Sequence, residues 1–146
     1  MSDRDQKNFG EKINKDSSYK IIRADGVAHI ALDKNTTTTG YVVFEANKDL
    51  ESGVLKEVSE PALIMARQND DNHITLSAVQ PDLNFPEYEL GKFRNYSMPV
   101  SLTLTLNGIW KTPTSSPVKT VTYSGNTTLI TLECKDGFSN IIKINK

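Results

Sequence analysis

Apolar and polar residues alternate with a period of two along most of the chain after residue 18. The clearest run is 100–106, where one valine and three leucines alternate with one serine and two threonines. This alternation is typical of an antiparallel strand with one face on the core and one face in water. The pattern therefore predicts that Leu104 lies centrally on the core face and Thr103 on the opposite face.

The same period predicts a series of short strands separated by turn residues. The predicted strands are Tyr19–Arg23, Val27–Asp33, Gly40–Phe44, Val54–Val58, Ala62–Gln68, His73–Val79, Val100–Leu106, Ile109–Lys111, Val118–Ser124, Thr127–Lys135 and Phe138–Asn145. Asp25-Gly26 and Asn107-Gly108 each have the composition of a two-residue hairpin turn of type I′. About ten short strands with turn signals at roughly 8–12 residue intervals favour an all-β fold, an antiparallel β-sandwich, with a closed barrel as the alternative.

Two segments depart from this pattern. Residues 1–18 are polar, and Phe9 and Ile13 are spaced four apart, which predicts a short N-terminal helix or a linker. Residues 80–99 contain three prolines and predict a long irregular loop. We therefore expect one β-sandwich domain over residues 19–146, preceded by the helix or linker.

Composition narrows the class of protein. The chain has 146 residues, 37% hydrophobic residues and a net charge of -1, which suits a single globular domain. It lacks the basic surplus of a sequence-independent nucleic-acid binder and any apolar run of the roughly 20 residues that span a bilayer. Its start has no apolar stretch of the kind found in secretory signals. We therefore expect neither a nucleic-acid partner nor a membrane span.

Residues that could carry catalysis are few. His29 and His73 are the only histidines, and both are interpreted as surface or interdomain residues rather than as a general base, which needs a partner that orients its proton. Cys134 alternates with buried positions, which predicts a small core residue. Asp70-Asp71-Asn72 lacks the ligand spacing of a calcium loop and predicts a solvated turn. The sequence predicts no catalytic residue, no metal and no cofactor.

The 80–99 loop is the candidate for carbohydrate binding. Aromatic faces stack on sugar rings, and lysine or arginine pairs with sulfate or carboxylate groups. The candidate binding residues are Tyr88, Lys92, Arg94, Tyr96 and, farther along the chain, Trp110. The competing interpretation, which we favour, is that these aromatic residues cover an open end of the sandwich or contact a neighbouring domain.

Three stretches, taken together, carry a family resemblance. The first is Tyr19–Lys34 with Thr39–Phe44, the second is Pro61–Met65 with Leu76–Asn84, and the third is Val100–Trp110. In this order and spacing they resemble the C-terminal β-sandwich domain of polysaccharide lyase family 8, and most of all its chondroitin sulfate ABC lyases. The resemblance extends from about residue 11 to the end of the chain.

The resemblance implies a function for the parent protein more than for this chain. Lyases of that family cleave acidic glycosaminoglycans by β-elimination, and their catalytic residues belong to a helical toroid and a central β-domain upstream of the C-terminal domain. We therefore expect a non-catalytic domain that braces the catalytic domains of the same polypeptide, in a secreted or periplasmic parent enzyme, with a glycosaminoglycan as a possible further partner.

Two other functions remain open. The alternative is an autonomous carbohydrate-binding module that uses the 80–99 loop, and a stand-alone enzyme is the weakest hypothesis. The bracing domain and the binding module differ in a surface feature that a structure can show. A bracing domain should expose a contiguous apolar patch, whereas a binding module should present a concave site where aromatic residues and cations converge.

Overall fold

The computed structural model describes residues 18–81 and 99–146, and ten strands lie within them. The strands are β1 Tyr19–Ala24, β2 Ala28–Asp33, β3 Thr38–Val43, β4 Leu55–Val58, β5 Ala62–Asp70, β6 His73–Val79, β7 Val100–Asn107, β8 Val118–Ser124, β9 Thr127–Cys134 and β10 Asn140–Asn145. Apart from Ser18, the predicted N-terminal helix or linker lies outside the described residues, so the boundary at residue 19 stays a prediction.

The strands form two antiparallel sheets. One has six strands in the order β1-β2-β3-β5-β6-β10, and the other has four in the order β4-β7-β9-β8. Every named pair is antiparallel, as expected when one face of each sheet packs on a core. The prediction of an all-β sandwich is confirmed, and the closed barrel is excluded because the strands form two separate sheets.

A single hydrophobic core lies between the sheets, and β7 contributes its centre. Leu102, Leu104 and Leu106 are each 0% exposed, whereas Thr103 is only half-buried. The Thr103 hydroxyl lies 2.9 Å from the hydroxyl of Thr131 on β9, where either oxygen can be the donor. The predicted core face is therefore confirmed, whereas the opposite face is only partly in water, because Thr105 is buried there.

The predicted strand Ile109–Lys111 is wrong. Gly108 has a φ of 92°, and the backbone N–H of Trp110 donates to the side-chain hydroxyl of Thr128 at 2.9 Å instead of to a ladder carbonyl. The last residue of the segment forms an isolated bridge with Asn145 of the six-stranded sheet. The segment therefore crosses from one sheet towards the other, and the buried threonine replaces the hairpin partner that the sequence had suggested.

The predicted type I′ turn at Asp25-Gly26 is also wrong. Neither residue has a positive φ, and Ala24 pairs with His29, which leaves a loop of four residues. The Asp25 carboxylate accepts hydrogen bonds from the backbone N–H groups of Val27 at 2.8 Å and Ala28 at 3.1 Å. An aspartate-capped loop therefore replaces the glycine-dependent turn.

This loop gives a prediction about acid stability. The Arg23 guanidinium, which donates to the carboxylate at 2.8 Å, and then the N–H groups of Ala28 and Val27 lower the pKa of Asp25 from 3.8 to about 2. A depressed folded-state pKa contributes stability that is present above pH 3.8 and is lost as the pH falls through about 2. We expect an NMR titration of the Asp25 carboxyl to show a midpoint near 2, and Arg23→Gln to raise it. A wild-type midpoint at the ordinary value would contradict this account of the loop.

Candidate docking face

The outer face of the six-stranded sheet carries an open groove of about 480 Å³ with an apolar lining. Outward-facing residues of neighbouring strands line up in rows across the sheet, as the strand register requires. The first row is Ile21, Ala31, Gly40, Met65, Ser77 and Ile141, and the second is Ala24, His29, Val42, Leu63 and Val79. These two rows are called the docking face below.

The groove is concave because its central residues are small. Gly40 and Ala31 lie opposite each other on β3 and β2, and Met65 pairs with Gly40 from the other side. A Cβ placed on Gly40 would meet nothing nearer than the Ala31 carbonyl oxygen at 4.0 Å, which is ordinary van der Waals contact. The floor at Gly40 therefore has room for an apolar side chain from another segment.

Large apolar side chains surround this floor and remain exposed. Met65 is 55% exposed, and Ile21, Val42, Leu63 and Ile141 are also exposed. Burying one such side chain stabilises a contact by roughly 1.5–3 kcal/mol. A soluble monomer rarely leaves a contiguous apolar patch of this kind without a function. The face therefore has the character of a surface that packs against another part of a protein.

One end of the docking face carries an aromatic pair and an anchored cation. The rings of His29 and Phe44 meet edge-to-face with centroids 5.0 Å apart. Arg23 also lines the groove, and its guanidinium is held by the carboxylate of Asp25 at 2.8 Å and the carbonyl of Asp49 at 2.9 Å. These contacts fix polar groups at the rim, where they do not interrupt the apolar floor.

Most of the predicted carbohydrate-binding residues lie outside the described part of the chain. This holds for Tyr88, Lys92, Arg94 and Tyr96, so their convergence stays a prediction. Trp110 is described and is only 6% exposed. Its indole N–H donates to the Asn107 carbonyl at 2.8 Å, and the Lys146 ammonium lies 5.5 Å from the ring centroid. Trp110 therefore packs in the core and offers almost no ring surface to a sugar.

The remaining candidates for chemistry occupy ordinary structural positions. His73 is exposed on a hairpin, where its Nδ1 lies 2.8 and 2.9 Å from the two carboxylate oxygens of Asp70. Asp70 also accepts from the Asn72 N–H at 2.8 Å in the turn. Cys134 is 2% exposed, as predicted, and burial raises the pKa of its thiol. Across residues 18–81 and 99–146 no three histidine, cysteine or acidic residues cluster as metal ligands. In the same ranges no helix is long and apolar enough to cross a membrane.

The sequence interpretation missed the docking face, although a signal was present. Tyr41–Phe44 and Ala62–Ala66 are continuous apolar runs, whereas a strand with one face in water alternates. Continuous runs are typical of strands that are covered on both faces. Both runs were assigned to strands, but their outward residues were not interpreted as a surface.

Comparison with known proteins gives sequence relatives in one group of enzymes. No protein-family model matches the chain. The chain is 31% identical over 127 residues to the chondroitin sulfate ABC endolyase of Proteus vulgaris, a match that covers 87% of this chain and 12% of that protein. It is 29% identical over 151 residues to the chondroitin sulfate ABC exolyase of Bacteroides thetaiotaomicron, with 90% and 15% covered. A chondroitin sulfate ABC exolyase of Proteus vulgaris is 30% identical over 124 residues. The chain therefore spans only a small part of these relatives' length.

Solved structures with a similar fold are also polysaccharide lyases. The Streptomyces coelicolor A3 chondroitin AC lyase in complex with chondroitin sulphate superposes with a TM-score of 0.62 at 9% identity, covering 93% of this chain and 16% of that chain. A Paenibacillus xanthan lyase gives a TM-score of 0.60 at 11% identity, covering 99% and 12%. At these identities the likeness shows that the fold is shared.

Proposed function

We propose, from the premise that the chain is homologous to a segment of the chondroitin sulfate ABC lyases, that it is an accessory β-sandwich domain bracing the catalytic domains of a polysaccharide lyase. The homology confirms the resemblance predicted from the sequence. The matched segment makes up 12–15% of the relatives, so most of their length lies outside it, which is compatible with an accessory role.

The observation that carries this proposal is the docking face. It is concave, contiguous and apolar, with Met65 and Ile21 more than half exposed around the open floor at Gly40. The occupant that fits it is another domain of the same polypeptide, because the relatives carry most of their length outside the matched segment. A domain joined through the chain also associates at a high effective concentration, so this area need not sustain binding between free molecules.

The described residues also favour a non-catalytic role. A β-elimination at a uronic acid needs a base for the C5 proton and a group that neutralises the carboxylate, held together around the substrate. His29 contacts Phe44 on the docking face, whereas His73 lies with Asp70 on an exposed hairpin. The register places them in different rows on different strands. The two histidines therefore do not form one acid–base site.

The isolated chain is therefore expected to show no lyase activity. Incubation with chondroitin sulfate, dermatan sulfate or hyaluronan should produce no unsaturated uronide, because the histidines of residues 18–81 and 99–146 form no shared acid–base site. The measurement is the ultraviolet absorbance of the new conjugated double bond, with a chondroitin sulfate ABC lyase as the positive control. A sustained rise above the buffer control would contradict the accessory role.

The alternative function is carbohydrate binding by the 80–99 loop, with Tyr88, Lys92, Arg94 and Tyr96 as the binding residues. It rests on the aromatic and cationic composition of that loop. Micromolar binding of a chondroitin sulfate oligosaccharide that is lost in Arg94→Ala would favour it over bracing.

We further propose that the parent lyase is secreted or periplasmic, which cell fractionation of the producing organism would test.

A further inference from the structure

We propose that a polar row beside the docking face binds an anionic oligosaccharide. The row consists of Tyr19 on β1, Asp33 on β2, Thr38 on β3, Arg67 on β5, Thr75 on β6 and Lys143 on β10, which the register places side by side across the six-stranded sheet. This polar row differs from the 80–99 loop, and it does not depend on the docking role.

The polar row is concave over most of its length. Two adjoining depressions of about 240 and 280 Å³ share Thr36, Thr38 and Met65. The first is also lined by Tyr19, and the second is also lined by Arg67. Three strand spacings separate β1 from β5, or about 14 Å. This length suits a chain of several sugar rings better than a single ion.

Two cations lie at the β5–β10 end of the row. Arg67 and Lys143 flank Thr75, about 10 Å apart at two strand spacings. None of the ion pairs among the described residues involves either cation. Sulfate and carboxylate groups spaced along an oligosaccharide fit such a pair, because a guanidinium or ammonium binds oxyanions through charge-assisted hydrogen bonds.

The acidic groups near the row already have hydrogen-bond partners. The Asp33 carboxylate accepts from the Asn35 N–H at 3.0 Å and the Thr36 hydroxyl at 2.8 Å. The Asp70 carboxylate accepts from Asn72 and faces His73. These donors satisfy the carboxylate oxygens, and neither acid forms an ion pair with Arg67 or Lys143 among the described residues, so both cations remain available to an anionic ligand.

The row also supplies groups that suit the sugar itself. The Thr75 hydroxyl accepts a hydrogen bond from the Asn69 side-chain amide at 2.8 Å, so it keeps its own proton for a sugar oxygen. Tyr19 is 53% exposed at the opposite end and presents an aromatic ring. Aromatic faces pack on the apolar faces of sugar rings. The combination of ring, hydroxyl and two cations is the chemistry of a binding site for an acidic polysaccharide.

The test is an NMR titration of the whole chain with hexasaccharides of chondroitin sulfate and of unsulfated chondroitin. We expect amide shifts in β3, β5, β6 and the 36–38 turn, and a dissociation constant of about a millimolar or tighter. Arg67→Gln should weaken binding roughly fivefold or more, whereas Lys135→Gln, which removes an exposed cation outside the row, should leave it unchanged. Tighter binding of the sulfated hexasaccharide would show that Arg67 and Lys143 bind its sulfate groups. Equal affinity for the two hexasaccharides would show that they bind the carboxylate of the uronic acid.

Three results of the saccharide titrations would overturn the proposal. These are no shifts at millimolar ligand, equal weakening by Arg67→Gln and Lys135→Gln, and shifts confined to the 80–99 loop with loss of binding in Arg94→Gln. A single-stranded oligonucleotide that binds as tightly as the saccharide would also overturn it, since the row would then be a general polyanion site. The titration uses this chain without a docked domain, and Arg67 is not one of the docking-face residues, so the two proposals can fail separately.

Discussion

Leu104→Ala is expected to lower the free energy of unfolding by about 2–5 kcal/mol. Leu104 is 0% exposed at the centre of β7, where it pairs with Ile130 on β9 and Val58 on β4. Removing three carbon atoms there leaves a cavity that the surrounding strands cannot fill, because both neighbours are fixed in the same sheet. The measurement is urea unfolding followed by tryptophan fluorescence and circular dichroism.

Thr103→Ala is the matched control on the opposite face of the same strand. It removes one cross-strand hydroxyl contact with Thr131 at 2.9 Å and should cost no more than about 1 kcal/mol. Equal losses for the two variants would show that both faces of β7 are equally buried, in conflict with the sandwich described here.

Gly40→Leu is expected to weaken interdomain docking strongly while leaving the isolated domain folded. The Cβ of the new side chain would meet only the Ala31 carbonyl oxygen, at 4.0 Å, and the rest would extend into the groove, where a docked domain would have to be. Replacing glycine in a strand should leave the stability of the isolated chain within about 1 kcal/mol of wild type. The steric overlap should weaken docking by about 2 kcal/mol or more, roughly 30-fold.

The docking effect can be measured in a chimera in which this chain replaces the homologous segment of the Proteus vulgaris endolyase. Thr122→Leu is the control, because it adds the same side chain to the exposed edge strand β8 of the other sheet. We expect the Gly40 variant to lower the unfolding temperature of the chimera and the Thr122 variant to leave it unchanged. If both variants behave alike, the groove is not the docking surface.

The strands could be predicted because the alternation of apolar and polar residues that marks a strand lies within the strand's own sequence. Alternation along β7 and the inward position of Cys134 follow from the two-residue period of an extended chain. The error at Ile109–Lys111 has a non-local cause. A hydrogen bond from the Trp110 N–H to Thr128, eighteen residues away, redirects the segment, and no local pattern encodes that contact.

The candidate site was harder to predict because it, too, depends on contacts between residues that are distant in the sequence. The composition of the 80–99 loop drew attention to aromatic residues, yet the burial of Trp110 depends on Asn107, Thr128 and Lys146 being brought together by the fold. The docking face is assembled from outward residues of several strands in the β1-β2-β3-β5-β6-β10 order. This order places β5 beside β3, and the sequence gives no indication that β4 belongs to the other sheet.

The docking face and the polar row adjoin each other on one sheet, and Ala31, Gly40, Met65 and Ser77 of the docking face also line the depressions of the polar row. A domain that covers Gly40, Val42 and Leu63 would leave Arg67 and Lys143 at the rim of the contact. An acidic polysaccharide bound along the polar row would then follow the boundary between the two domains. Bracing and weak saccharide binding can therefore coexist in one domain.

Oxidative footprinting of Met65 tests the docking claim most directly. Met65 is 55% exposed on the docking face, whereas Tyr123 is 52% exposed on β8 of the other sheet and serves as the internal reference. The isolated chain and the chimera with the Proteus vulgaris endolyase would be exposed to the same dose of hydroxyl radicals and compared by mass spectrometry. We expect Met65 to be modified severalfold more slowly in the chimera and Tyr123 to be modified at the same rate in both. Equal modification of Met65 in the two proteins would contradict the account.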